Sequence, residues 1–93
     1  MSACERTTME THTKEDLEML ADYIENSFDS MFPEIELALS VRVSPTTWIN
    51  NSVYADQDTV ESTGSGARQK FREKYENNIK ELTTHVGEVV LKK

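Results

Sequence analysis

The chain has 93 residues, of which 37% are hydrophobic, and its seventeen acids against ten bases give a formal net charge of -7 and a pI near 4.7. That size fits one domain with a thin core and excludes a full α/β enzyme with its own cofactor fold, and the acidity argues against broad adhesion to nucleic acid or anionic membranes. The charge is lopsided: residues 1–66 hold thirteen acids against Arg6, Lys14 and Arg42, whereas residues 67–93 hold seven bases and four acids, so a partner meets two different electrostatic faces.

Residues 1–12 are polar and aperiodic and are expected to form a disordered leader, leaving 13–93 as a single small α+β domain. The leader carries Cys4, the sole cysteine, which leaves no internal disulfide and no cysteine-based metal site. With no signal-like run and no segment of about 20 apolar residues, a cytoplasmic location is expected. Thr13 is a helix cap whose hydroxyl accepts the Asp16 N–H, and Leu17, Leu20, Ala21, Ile24, Phe28 and Met31 form an inward stripe over a first helix at 14–31. Pro33 ends it.

Beyond the proline the period falls to two. Leu37, Leu39, Val41 and Val43 alternate with Glu36, Ala38, Ser40 and Arg42, which predicts a strand with its aliphatic side on the core and its polar side wet. Ser44 and Pro45 turn the chain into a second strand over 46–54, with Thr47, Ile49 and Val53 on one side and Trp48 and Tyr54 on the other. Asn50 and Asn51 weaken its middle, where a bulge or early turn is expected. They also spell, with Ser52, a glycosylation acceptor that reads as chance without a secretory signal.

Asp56, Gln57 and Asp58 suggest a turn, followed by a short extended piece at 59–62 and a flexible loop at 62–66. A second helix opens near Ala67, carries Phe71, Tyr75, Ile79 and Leu82 inward and ends near 85, where Gly87 offers a left-handed cap. A last short strand over 88–92 is favoured over a helix continuing to Leu91. The implied order is α-β-β-(β)-α-β, an α+β fold with two helices packed on one face of a small, mostly antiparallel sheet.

No catalytic, cofactor-binding or metal-binding motif is visible. His12 and His85 lack a metal-ligand spacing, and Asp56, Asp58 and Glu61 lack the rest of a calcium loop. Glu15, Glu18, Asp22, Glu25 and Asp29 recur at three- and four-residue steps and make a continuous acidic ridge, suited to steering association with a basic surface, including one built to grip nucleic acid. Trp48 and Tyr54 are expected as an outward aromatic pair at the same interface, although the opposite facing of that strand places Trp48 in the core. These features lead to a non-enzymatic binding protein, a small acidic inhibitor or adaptor of the kind phages and mobile elements encode, which covers a basic or mixed surface of a larger protein. Two alternatives stand beside it. One is a structural homodimer that completes its core or sheet with a second copy. The other is a nucleic-acid or phosphate binder using segment 64–74, where Gly64 and Gly66 precede the candidate anion contacts Arg68, Lys70, Arg72 and Lys74.

Overall fold

The structure, a computed structural model of the chain, describes residues 2–62 and 65–90, the side chains of Phe28, Asp29, Met31, Ser65, Ala67 and Arg68 excepted. Among the described residues the elements run β1 (Ala3–Thr11), α1 (Lys14–Met31), β2 (Leu37–Ser44), β3 (Thr47–Tyr54), α2 (Gln57–Ser62), α3 (Ser65–Lys74) and β4 (Ile79–Glu88). The four strands form one sheet in the order β2-β3-β1-β4, every neighbouring pair antiparallel. Helices pack on one of its faces, so the α+β architecture read from the sequence is the one adopted.

The order of elements needs correction at both ends. Residues expected as a disordered leader are β1, an inner strand bonded to β3 on one side and β4 on the other. Its alternation was hidden because the inward set mixes apolar and polar residues: Ala3, Met9 and Thr11 are 2%, 0% and 2% exposed, and Glu5 between them is 6% exposed. At the other end the second helix stops at Lys74, not near 85, and β4 replaces its final turns; of the strand expected at 88–92, Glu88 closes β4, Val89 and Val90 lie outside any strand, and 91–92 lie outside the described residues. The chain breaks where Asn78 N–H donates to the Tyr75 carbonyl at 2.9 Å and the Asn78 amide donates to Asp16 Oδ1 at 2.9 Å, tying the turn to the start of α1. Ile79 and Leu82 looked helical because they are three residues apart. A bulge at Glu10/Thr11 pairs Ile79 with Thr11 and Leu82 with Met9, which puts both on one face of a strand.

Two local readings also change. The piece at 59–62, expected as extended, belongs to α2, because Asp56 Oδ1 accepts the Thr59 N–H at 2.8 Å and the Thr59 hydroxyl at 2.7 Å and so acts as the helix cap. Of the loop expected at 62–66, Ser62 closes α2 and Ser65 opens α3, while 63 and 64 lie outside the described residues. The weak middle expected at Asn50 and Asn51 is unbroken: both keep register with β1 and β2, and the shift in the β2–β3 pair falls between Arg42 and Ser44 instead. The first helix stands as expected, with Thr13 Oγ1 accepting the Asp16 N–H at 3.1 Å and Leu17, Leu20 and Ile24 buried.

Register assigns every side chain to a face, since residues directly opposite across antiparallel strands share one. On the helix-covered side the rows across the sheet are Tyr54 and Ala3; Ala38, Ser52, Glu5 and Val86; Ser40, Asn50, Thr7 and Thr84; Arg42, Trp48, Met9 and Leu82. The other side carries Leu37, Val53 and Cys4; Leu39, Asn51, Arg6 and His85; Val41, Ile49, Thr8 and Thr83. The expected facing of β2 is therefore reversed. Its aliphatic side looks away from the helices, and Leu37, Leu39 and Val41 remain 51%, 61% and 44% exposed. The core sits instead between α1 and β1, where Met9, Leu17, Leu20 and Ile24 pack with Tyr23, Trp48, Phe71 and Leu82, and a second cluster joins Ala3, Tyr54 and Val60.

Because β1 holds both inner ladders, a chain lacking residues 1–11 will lose its cooperative urea transition and its near-ultraviolet circular dichroism, an outcome that removal of a disordered leader would not give. A second expectation concerns Glu10, which accepts hydrogen bonds from the Thr47 and Thr46 hydroxyls across the sheet. These bonds, first that of Thr47, hold its carboxyl below the ordinary value, so their contribution is present at neutral pH and is lost as pH falls through the folded-state pKa. In Thr47→Val the Glu10 titration, followed by carboxyl NMR, will move upward.

Candidate ligand-binding site

A cavity of about 90 Å³ lies between the helix-covered side of the sheet and the helices. Its floor is the pleat of β1, β3 and β4, which contributes Glu5, Thr7, Met9, Trp48, Asn50, Ser52, Tyr54, Leu82 and Thr84. Ile24 of α1, Phe32 and Ile35 from the loop that follows it, and Phe71 and Arg72 from α3 close it above. The walls are apolar and aromatic, whereas two rows of the floor are polar. Such a lining, apolar with a few placed polar groups, suits a small organic ligand.

The polar rows have defined partners. The Ser40 hydroxyl donates to Asn50 Oδ1 at 2.8 Å, and Asn50 Nδ2 donates to Ser52 Oγ at 2.7 Å. Asn50 is 8% exposed and Ser52 2%, so the chain spends desolvation on an amide and a hydroxyl where aliphatic side chains would have packed at no such cost. Glu5, also buried, is engaged within the protein.

The roof is fixed by aromatic contacts. Phe71 of α3 and Tyr75 just after it meet Tyr23 of α1 with ring centroids 6.1 and 5.4 Å away, and Lys74 Nζ stands 5.1 Å from the Tyr23 centroid and 5.3 Å from that of Tyr75. A short, polar helix is thereby pinned over the cavity through one face.

These positions redistribute the residues singled out from sequence. Trp48 and Tyr54 are not an outward pair: Tyr54 is fully buried, Trp48 is half-buried against the main core, and both line the cavity. The reason is the reversed facing of the hairpin, which turns the even-numbered residues of β3 toward the helices. Glu15, Glu18, Asp22 and Glu25 are exposed along α1, with Glu18 3.8 Å from both Lys14 and Arg42. The Asp29 and Arg68 side chains and all of Gly64 lie outside the described residues. Lys70 is exposed, Arg72 lines the cavity and Lys74 covers aromatic rings, so these three described bases do not converge on one anion site. Sequence reasoning missed Glu5, Thr7 and Met9 because they lay in the supposed leader, read Asn50 with Asn51 as strand weakness, and gave Ser52 no role beyond the chance glycosylation acceptor. Polar residues recurring every second position through β3 were the available signal.

No protein-family model and no curated protein matches the chain. Solved structures do. SnoaB, a cofactor-independent oxygenase from Streptomyces nogalater, superposes with a TM-score of 0.74 at 8% identity over 98% of this chain and 95% of that one. A dimeric ferredoxin-like protein from an uncultured marine organism gives 0.73 at 10% identity over 98% and 90%. A protein of Chloroflexus aurantiacus assigned to the antibiotic biosynthesis monooxygenases gives 0.73 at 13% identity over 100% and 97%. At these identities the likeness establishes the fold, a ferredoxin-like α+β sheet with helices on one side.

The expectation of a non-enzymatic acidic inhibitor or adaptor, viral in type and mimicking nucleic acid, is overturned by these findings, as is the nucleic-acid alternative. Structures of this fold bear the names of oxygenases, and the chain's most elaborated polar groups lie in a cavity under the helices rather than on the acidic ridge. The expectation that the chain is not an enzyme is corrected on the same ground. That reading gave weight to exposed charge, which a small protein also needs for solubility.

Removing the Asn50 amide strands the buried Ser52 hydroxyl. Asn50→Ala is expected to lower unfolding free energy by about 1–3 kcal/mol, measured by urea denaturation.

Proposed function

We propose that the chain binds a small, largely apolar molecule in the cavity over β1 and β3 and acts on it as an oxygenase. The observation that carries this reading is the cavity itself, with Trp48, Tyr54 and Phe71 walling it and a hydrogen-bonded Asn50–Ser52 pair on its floor. The name of the Streptomyces neighbour, a cofactor-independent oxygenase, supports the reaction class. Oxygenation without a cofactor requires a substrate that loses a proton and supplies its own electrons to dioxygen, a methylene becoming a carbonyl with one oxygen atom while the other leaves as water. The chain's part is to exclude water, orient the molecule and accept a proton, and Glu5 is the carboxylate among the lining residues.

Trp48 is the sole tryptophan, so ligand entry reports directly. Enolisable aromatic ketones such as 2-tetralone will quench or shift its emission and will raise oxygen uptake over the uncatalysed rate, and Glu5→Gln will lower the uptake by about 10²-fold or more. Unchanged emission together with unchanged uptake overturns the reading.

The chain also acts, in this proposal, as a homodimer. Leu37, Leu39 and Val41 lie exposed on the sheet face opposite the helices, and one neighbour of the same fold is described as dimeric. A two-fold pairing of these faces removes the aliphatic patch from water. Sedimentation equilibrium is expected to give twice the chain mass, and Leu39→Asp to give the monomer.

A further inference from the structure

Resting on the ligand reading above, we infer that Ser40, which stands outside the cavity, is a positioning residue that fixes the cavity floor as a donor of hydrogen bonds, so that the bound molecule is one presenting an acceptor oxygen, a ketone or enolate, to Asn50 and Ser52.

Asn50 has one carbonyl oxygen and two amide hydrogens. The oxygen takes the Ser40 hydroxyl at 2.8 Å and one hydrogen goes to Ser52 Oγ at 2.7 Å. Among the described residues nothing takes the second amide hydrogen. Ser52 Oγ, accepting from Asn50, keeps its own hydrogen to give, and it is 2% exposed. Two buried donors therefore remain at Asn50 and Ser52, while the one acceptor of the amide, Asn50 Oδ1, is taken by Ser40. A buried donor without a partner is costly, and a ligand oxygen relieves the cost where a ligand donor does not.

Ser40 sets this polarity. A free primary amide can turn over and present its oxygen to the cavity, accepting from a ligand instead of donating to it. With Ser40 donating to Oδ1 across the β2–β3 ladder, the amide is held with its oxygen toward β2 and its nitrogen toward Ser52. Ser40 is exposed and on an edge strand, so its hydroxyl can be removed without opening the core.

The test uses two probes of one shape, acetophenone and ethylbenzene, which differ by a carbonyl in place of a methylene. Binding to the full chain is followed by calorimetry and by Trp48 emission. The wild-type chain is expected to prefer acetophenone by about tenfold. Ser40→Ala is expected to bring the preference down about three- to tenfold while ethylbenzene binds as before, and Ser40→Thr, which keeps the hydroxyl, to retain it. Equal binding of both probes to the wild type overturns the donor floor and leaves the apolar cavity standing. An undiminished preference in Ser40→Ala overturns the role of Ser40. Failure of both probes to bind removes the ligand reading and this inference with it.

Discussion

β1 is hydrogen-bonded along both edges, to β3 and to β4, and the pleat of that one strand decides what the helices can cover. Since successive side chains alternate sides, fixing Met9 under Leu17 and Leu20 also fixes Glu5 and Thr7 under the helices and sends Arg6 and Thr8 to the other face. The neighbouring strands inherit the assignment through register. Trp48 must lie beside Met9, and Asn50 beside Thr7. A slip by one residue would exchange the whole set.

The two faces of the sheet express different compromises. On the covered face an apolar row, Trp48, Met9 and Leu82, anchors α1 and α3, and beside it runs a row of hydroxyl and amide groups that contributes little to packing. Burying such groups is tolerable only when they are bonded, and the chain of contacts from Ser40 through Asn50 to Ser52 meets most of that requirement. On the open face the order is inverted, with aliphatic side chains gathered on β2 and polar ones on β1 and β4. The hydrophobic residues of a 93-residue chain are thus divided between holding the helices down and marking a surface.

How much of this was legible follows from the same rows. The first helix could be read to the residue because its stripe and its Thr13 cap are local signals. The β2–β3 hairpin was equally visible, but which side faced inward was not: Leu37, Leu39 and Val41 are the most hydrophobic alternation in the chain, and only pairing with a strand hidden among polar residues turns them outward. β1 escaped because two of its four buried positions are Glu5 and Thr11. β4 escaped because a bulge restored a three-residue spacing to Ile79 and Leu82. The candidate site shared the fate of β1. Its residues sit on three strands distant in sequence, and no motif binds Glu5 to Asn50 or to Phe71, so charge on the surface drew the functional reading instead.

Ala3 pairs with Glu88, and the Val89 N–H reaches back to the Ser2 carbonyl at 2.9 Å. β1 therefore finds its second neighbour only after α1, the β2–β3 hairpin, α2 and α3 have been made. Until then its ladder to β4 stands open, and closing it costs the entropy of the long loop those elements span. Folding is in that sense completed by a long-range contact, in which β4 joins β1 along the length of a strand and brings Leu82 and Thr84 to the floor of the cavity.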